Sequence, residues 1–296
     1  MKTEVKKVDA TNVQISVEVL AETVSKKLDE IYGHIAKEAR VPGFRPGNAP
    51  RAMLEKYHAN TARQHLLEEL IPEVYQKAVE ENKLAVVDAP TISDINLSGL
   101  SLSFKAKVEV QPEFKLDKYK GLKLKRKKIE VTKENIEELI SKLAEERSTP
   151  DKKVYTDDKF AKALGYINLD QMRSSLEKQL YLSFENRAKS DIENQLIQQL
   201  LDKTEFSVPA SLINRQLKRR LDELKWNLEL QGKSKEEIDS VEKEREKELH
   251  EIAARDVKLF LILEKIARLE NIPHNNENIG QRAIEFLLSE AELEEA

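Results

Sequence analysis

Apolar and polar positions alternate along residues 13–20 (VQISVEVL), the period-two pattern of a strand with one buried face. From Ala21 to about Ala39 the spacing changes. Val24, Leu28, Ile31 and Ile35 recur every three or four positions, which predicts a helix with one apolar stripe. Val41-Pro42-Gly43 ends it, because proline disfavours helix in the residue before it and glycine accepts backbone angles that helices do not use. Pro50 suits the first turn of a short helix to about Tyr57, and a longer helix is expected from Thr61 to about Asn82, kinked or broken at Pro72. Residues 84–110 return to strand character as LAVV, TISDINL and LSLSFKAKVEV, and KGLKLKRKKI (120–129) reads as one more strand, heavily basic.

Beyond Val131 the period is almost purely helical. Helices are expected over roughly 132–147, 157–164, 168–203, 208–231, 234–271 and 278–291. Breaks fall at Ser148–Asp151, Gly165, Val208-Pro209, Gly232 and Ile272-Pro273. The fold class expected is an α+β N-terminal domain followed by an elongated all-α C-terminal domain. The expected divisions are 1–112, a linker strand and helix over 113–155, and a helical domain over 156–296.

Composition narrows the chemistry. Among 296 residues 35% are charged and 5% aromatic, which favours long helices with thin apolar stripes. The net charge of −4 means that any contact with nucleic acid must come from a local basic patch. No cysteine is present, which excludes disulfides, thiolate metal sites and cysteine nucleophiles. Neither a signal-peptide core at the start nor a run of about 18 apolar residues is found, so a soluble cytoplasmic protein is expected. No G-x-x-x-x-G-K-[ST] loop supports ATP use, and His58 with His65 lacks the third ligand of a metal site, so no cofactor is expected. The basic run Lys123, Lys125, Arg126, Lys127 and Lys128 reads as a solvated edge strand guarded by lysines.

One basic patch stands out. Gly43-Phe44-Arg45-Pro46-Gly47 sets an aromatic and a cation in a tight loop between two helices, where Phe44 has no core of its own and suits an interface. Between residues 37 and 63, six basic side chains (Lys37, Arg40, Arg45, Arg51, Lys56, Arg63) face two acidic ones, a surplus that suits an anionic partner such as ribosomal RNA. Farther on, the stripe Leu212, Ile213, Leu217, Leu221, Leu224 and Leu228 and the apolar positions from Ile238 to Leu263 are expected to be mostly core, with some left exposed.

VPGFRPGNAP resembles the G-F-R-x-G-x-x-P signature of the trigger factors, ribosome-associated chaperones. Two further stretches are similar to that family: DAPTISDINLSGLSLSFKAKVEVQPEFKLDKYKGLKL to the end of its ribosome-binding domain and the linker, FAKALGYINLDQMRSSLEKQL to the opening of its C-terminal domain. The resemblance implies that Gly43, Phe44, Arg45, Pro46 and Gly47 form the tip that docks on the large ribosomal subunit beside the nascent-chain exit. Pro46 stands where the family usually has lysine. It also implies a prolyl isomerase domain after the linker helix, yet only about eight residues separate Arg147 from Thr156, far too few for a domain. The region after Ile272 is also short for part of a family arm. The reading is therefore an ATP-independent chaperone for nascent and unfolded polypeptides, not an enzyme, without a membrane partner and with a homodimer as one option. The alternative is a peptidyl-prolyl isomerase like the full-length family.

Overall fold

The computed structural model describes residues 1–38, 40–45, 47–147, 155–273 and 278–295. Ala39, Pro46, the expected break at Ser148–Asp151 and the shortened region at His274–Asn276 lie outside them. In chain order the elements are β1 (Lys2–Lys7), β2 (Asn12–Val19), α1 (Ala21–Glu38), α2 (Arg51–Glu81), β3 (Thr91–Ser98), β4 (Ser101–Glu109), β5 (Lys123–Arg126), α3 (Lys133–Arg147), α4 (Asp158–Ala163), α5 (Leu169–Lys203), α6 (Ala210–Leu230), α7 (Lys235–Leu269), α8 (Ile279–Ser289) and β6 (Glu292–Glu295). An N-terminal α+β region thus precedes a helical C-terminal part, as the alternation and its later loss predict. The chain divides into two compact units, one of Met1–Phe114 with Glu205–Lys258, the other of Lys115–Thr204 with Leu259–Ala296.

The first unit is organised by a four-stranded antiparallel sheet in the order β1-β2-β4-β3. Its register sets apolar residues opposite one another: Val13 with Val108, Ile15 with Ala106, Val17 with Phe104, Val19 with Leu102. All eight are buried. Such cross-strand pairs fix register, since a one-residue slip would turn the whole apolar set to the other face. α1 contributes Val24, Ile31 and Tyr32 to the same core, and α2 contributes Leu54, Leu66, Leu70, Val74 and Ala78. The edge strand β1 is not apparent from hydropathy, because KTEVKK holds one apolar residue, Val5, opposite Ile15.

Pro72 does not break α2. The non-helical backbone falls instead at His58 (φ −126°, ψ 19°), between the two helices expected there. Pro72 lies on the exposed face, where water can satisfy the carbonyl it leaves free, while Leu70, Ile71 and Val74 hold the opposite face in the core. α2 ends with Lys83 at φ 52°, its amide bonded to the Glu80 carbonyl and that of Leu84 to the Val79 carbonyl. That hydrogen-bond pattern normally employs glycine at the left-handed residue. Lys83→Gly is expected to stabilise the protein by roughly 0.5–1 kcal/mol, readable as a higher urea midpoint at unchanged slope.

The sheet unit also holds the hairpin of α6 and the first part of α7. Phe114 and Phe206 stack with ring centroids 4.0 Å apart. The Glu109 carboxylate, at the end of β4, accepts the Ser211 backbone N–H (2.9 Å) and Oγ (2.6 Å), so it caps the α6 N-terminus, where Pro209 offers no side-chain cap. Arg215 donates to the Val87 carbonyl at 3.2 Å. At the other end of α6, Gly232 (φ 75°) closes the helix and Ser234 with Glu237 forms a reciprocal capping box that starts α7.

In the second unit, Ile136, Ile140, Phe160, Met172 and Leu176 make one cluster from α3, α4 and α5. Asp157 and Asn168 cap α4 and α5. Glu270 accepts Tyr119 Oη at 2.6 Å and Lys120 Nζ at 2.7 Å. The bond from Lys120, then that from Tyr119, holds the Glu270 carboxyl below its usual range. Its stabilising contribution is therefore present at neutral pH and is lost as pH falls through the depressed value. The second half is not purely helical: β6 pairs in parallel with β5.

Candidate functional site

The loop between α1 and α2 is built from two glycine-dependent corners. The Phe44 amide donates to the Val41 carbonyl at 3.1 Å across Pro42-Gly43, and Gly43 has φ 82°. Proline followed by a positive-φ glycine is the requirement of a type II turn. The Asn48 amide donates to the Arg45 carbonyl at 3.0 Å, with Gly47 at φ 89°. A Cβ on either glycine would meet nothing within 4 Å, so backbone angle rather than space demands glycine there. The Gly47 amide also returns to the Ala36 carbonyl at 2.9 Å, satisfying one of the carbonyls that the end of α1 leaves open. Val41, 4% exposed, anchors the loop in the core.

Between these fixed points Phe44 is 39% exposed and Arg45 stands in solvent. Pro46 lies outside the described residues. The charge around the tip is smaller than composition implies. Arg51 lies over the Tyr32 ring at 3.7 Å and pairs with Asp29 (3.2 Å) and Glu55 (2.7 Å). Arg63 donates to the Leu97 carbonyl at 3.2 Å. Among the described residues no ion-pair partner meets Lys37, Arg40, Arg45, Lys56 or Arg63; the carbonyl bond holds Arg63 without cancelling its charge, and the other four stand free of such a bond for an anionic ligand. His58 sits at the α2 kink and His65 Nδ1 lies 4.0 Å from Glu68; among the described residues no group of three such side chains is placed to hold a metal.

A second candidate surface lies on the α6–α7 hairpin. The α6 stripe Leu212, Ile213, Leu217, Leu221, Leu224 and Leu228 is not core: none of these residues is fully buried. All six are half-buried, so each leucine or isoleucine keeps a flank in water. Ile238, Ala253 and Val257 of α7 are buried, while Val241, Leu249 and Ile252 are half-buried. Polar pairs hold the two helices: Arg220 with Asp256 (Nε to Oδ2, 2.8 Å) and Lys225 with Glu242 (3.0 Å). Near the turn, Trp226 is 62% exposed and Leu230 70%. Four residues apart, they form one outward apolar face on the side of α6 away from the leucine stripe. The sequence reading did not single them out; their place outside the stripe's spacing is the signal.

Two family models match: "Bacterial trigger factor protein (TF)" over residues 1–143 and "Bacterial trigger factor protein (TF) C-terminus" over 168–295. The trigger factor of Moorella thermoacetica is 26% identical over 378 aligned positions, covering 94% of this chain and 85% of that protein. Since 94% of 296 residues is about 278, about 100 of those positions face a gap in this chain. The trigger factor of Natranaerobius thermophilus is 38% identical over 144 residues, 48% of this chain and 32% of its own length. A solved trigger factor chaperone structure, described for promiscuous substrate recognition in folding and assembly, superposes with a TM-score of 0.57 at 14% identity, covering 98% of this chain and 94% of its own. The chain is short for this family and lacks its middle isomerase region, and the two models leave residues 144–167 between them.

Proposed function

The chain belongs to the bacterial trigger factor family, a family of chaperones, and from that premise we propose that it is a cytoplasmic, ATP-independent chaperone that docks on the large ribosomal subunit through the Phe44–Arg45 tip. In this reading residues 1–112 dock, 113–155 link, and 156–296 shield nascent or unfolded polypeptides. Gly43 and Gly47 hold the tip's backbone, Phe44 supplies apolar contact, and Arg45 contacts phosphate, with Lys37, Arg40 and Lys56 adding charge. Pro46 in place of a lysine removes one phosphate-binding cation. Among the described residues no helix is long and apolar enough to cross a membrane, in keeping with a cytoplasmic site.

The observation that carries client binding is the apolar surface of the α6–α7 hairpin, half-open along its leucine seam and fully open at Trp226 and Leu230. Contact with an unfolded segment would bury this surface reversibly, weakly at each point and more strongly when several points engage together. No nucleotide is needed for such exchange. The test is light scattering of a refolding, aggregation-prone protein with this chain in excess and no ATP. Aggregation should fall in proportion to the amount added. Scattering equal to that in buffer would contradict the reading.

No isomerase activity is proposed, because the region between Arg147 and Thr156 has no room for the family's middle domain. A proline-peptide isomerisation assay should give the uncatalysed rate. Turnover inhibited by ligands of that isomerase class would support the enzyme reading instead.

A further inference from the structure

β5 carries Lys123, Lys125 and Arg126 along four residues, and Lys127 and Lys128 follow. Leu124 is the only one of the four that is buried. One edge of the strand is covered by side chains of α5. Gln195 accepts the Lys125 N–H (2.9 Å) and donates to the Lys125 carbonyl (2.9 Å), while Gln199 donates to the Lys123 carbonyl (2.8 Å). Two glutamines four apart on a helix thus stand in for a neighbouring strand.

The other edge is occupied by β6, in parallel register, with Lys123 beside Glu292, Lys125 beside Glu294 and Arg126 beside Glu295. Each cation therefore has an anion alongside it. The Glu292 amide donates to the Leu122 carbonyl at 2.9 Å, the Gly121 amide donates to the Glu290 carbonyl at 3.2 Å, and Lys123 reaches Glu294 at 3.0 Å. Yet β6 buries almost nothing: all four of its residues are exposed, Leu293 included. Parallel pairing is the weaker kind, and exposed ion pairs are screened by salt. β6 is held by a short ladder and charge, not by a core.

We propose that the edge of β5 now paired with β6 is a peptide-binding site that takes extended acidic segments by strand addition, and that β6 is its resident, displaceable occupant. Strand addition draws affinity from the main-chain ladder and selectivity from the side chains. Here selection comes from the cation row, which favours carboxylates at successive positions with an apolar residue tolerated among them, as in Glu292-Leu293-Glu294-Glu295. The ligand class is an acidic, extended stretch of another polypeptide. This goes beyond the apolar client surface and does not depend on it.

The test uses the full chain and a fluorescent peptide with the sequence of residues 289–295, SEAELEE. In the variant Glu292→Lys/Glu294→Lys, like charges face each other across the ladder and β6 should leave, seen as lost amide protection at position 292. That variant should take up the peptide about tenfold more tightly than the intact chain, more weakly as salt rises. Uptake should vanish when the peptide's glutamates are replaced by lysine, or when Lys123→Glu/Lys125→Glu is added. Three results would overturn the proposal: equal uptake by variant and intact chain once protection is lost, protection that survives the charge reversal, or a short RNA that competes as well as unlabelled peptide.

Discussion

Replacing Trp226 and Leu230 together by glutamate is expected to raise the concentration needed for half-maximal suppression of aggregation by about tenfold while leaving stability nearly unchanged. The two side chains are 62% and 70% exposed and lie outside the leucine seam that packs the hairpin. Surface substitutions of this kind change stability by about 0.5 kcal/mol or less. Burying a large apolar side chain against a client contributes about 1.5–3 kcal/mol, so two lost anchors would weaken that end of the surface by about two to four factors of ten, at about 1.4 kcal/mol per tenfold. Other engaged points moderate the loss. Light scattering gives the concentration dependence and circular dichroism the melting temperature. A variant that melts normally and suppresses aggregation as well as the parent would place the client surface elsewhere.

Much of this architecture was legible in the chain because its signals are local. The alternation of Val13, Ile15, Val17 and Val19 became the buried face of β2. Gly232 followed by Ser234 and Glu237 ended one helix and started the next through contacts spanning at most five residues. The loop could be read for the same reason, since Pro42-Gly43 and the flanking Gly47 prescribe their own turns. What escaped the sequence depends on distant partners. β1 and β6 hold one apolar residue each and form only because β2 and β5 offer an edge. Composition counts Arg51 with the loop's free cations, but Asp29, Glu55 and the Tyr32 ring occupy it. The α6 leucines have a core-like spacing, yet the fold leaves them half in water, because spacing alone does not say how much of a stripe its tertiary partners cover. The expected break at Pro72 failed because tertiary packing on the opposite face outweighs one lost hydrogen bond.

The second large effect concerns docking. Phe44→Ala with Arg45→Ala removes both tip side chains but leaves the elements that shape the loop, namely Pro42, Gly43, Gly47 and the buried Val41. The fold should therefore persist. An apolar contact buried by Phe44 contributes about 1.5–3 kcal/mol and a charge-assisted bond from Arg45 about as much, so ribosome affinity should fall by about 100-fold or more. Removing one phosphate contact should also lower the slope of log affinity against log salt by about one. Lys37→Ala or Lys56→Ala should weaken binding less, since each removes charge without the apolar contact.

Co-sedimentation of the intact chain and the Phe44→Ala/Arg45→Ala variant with ribosomes, at low and at physiological salt, decides most directly whether this loop is a docking device. The account predicts that the intact chain travels with the large subunit and the variant stays at the top of the gradient. Equal amounts of the two proteins in the ribosomal fractions, with both folded, would contradict it.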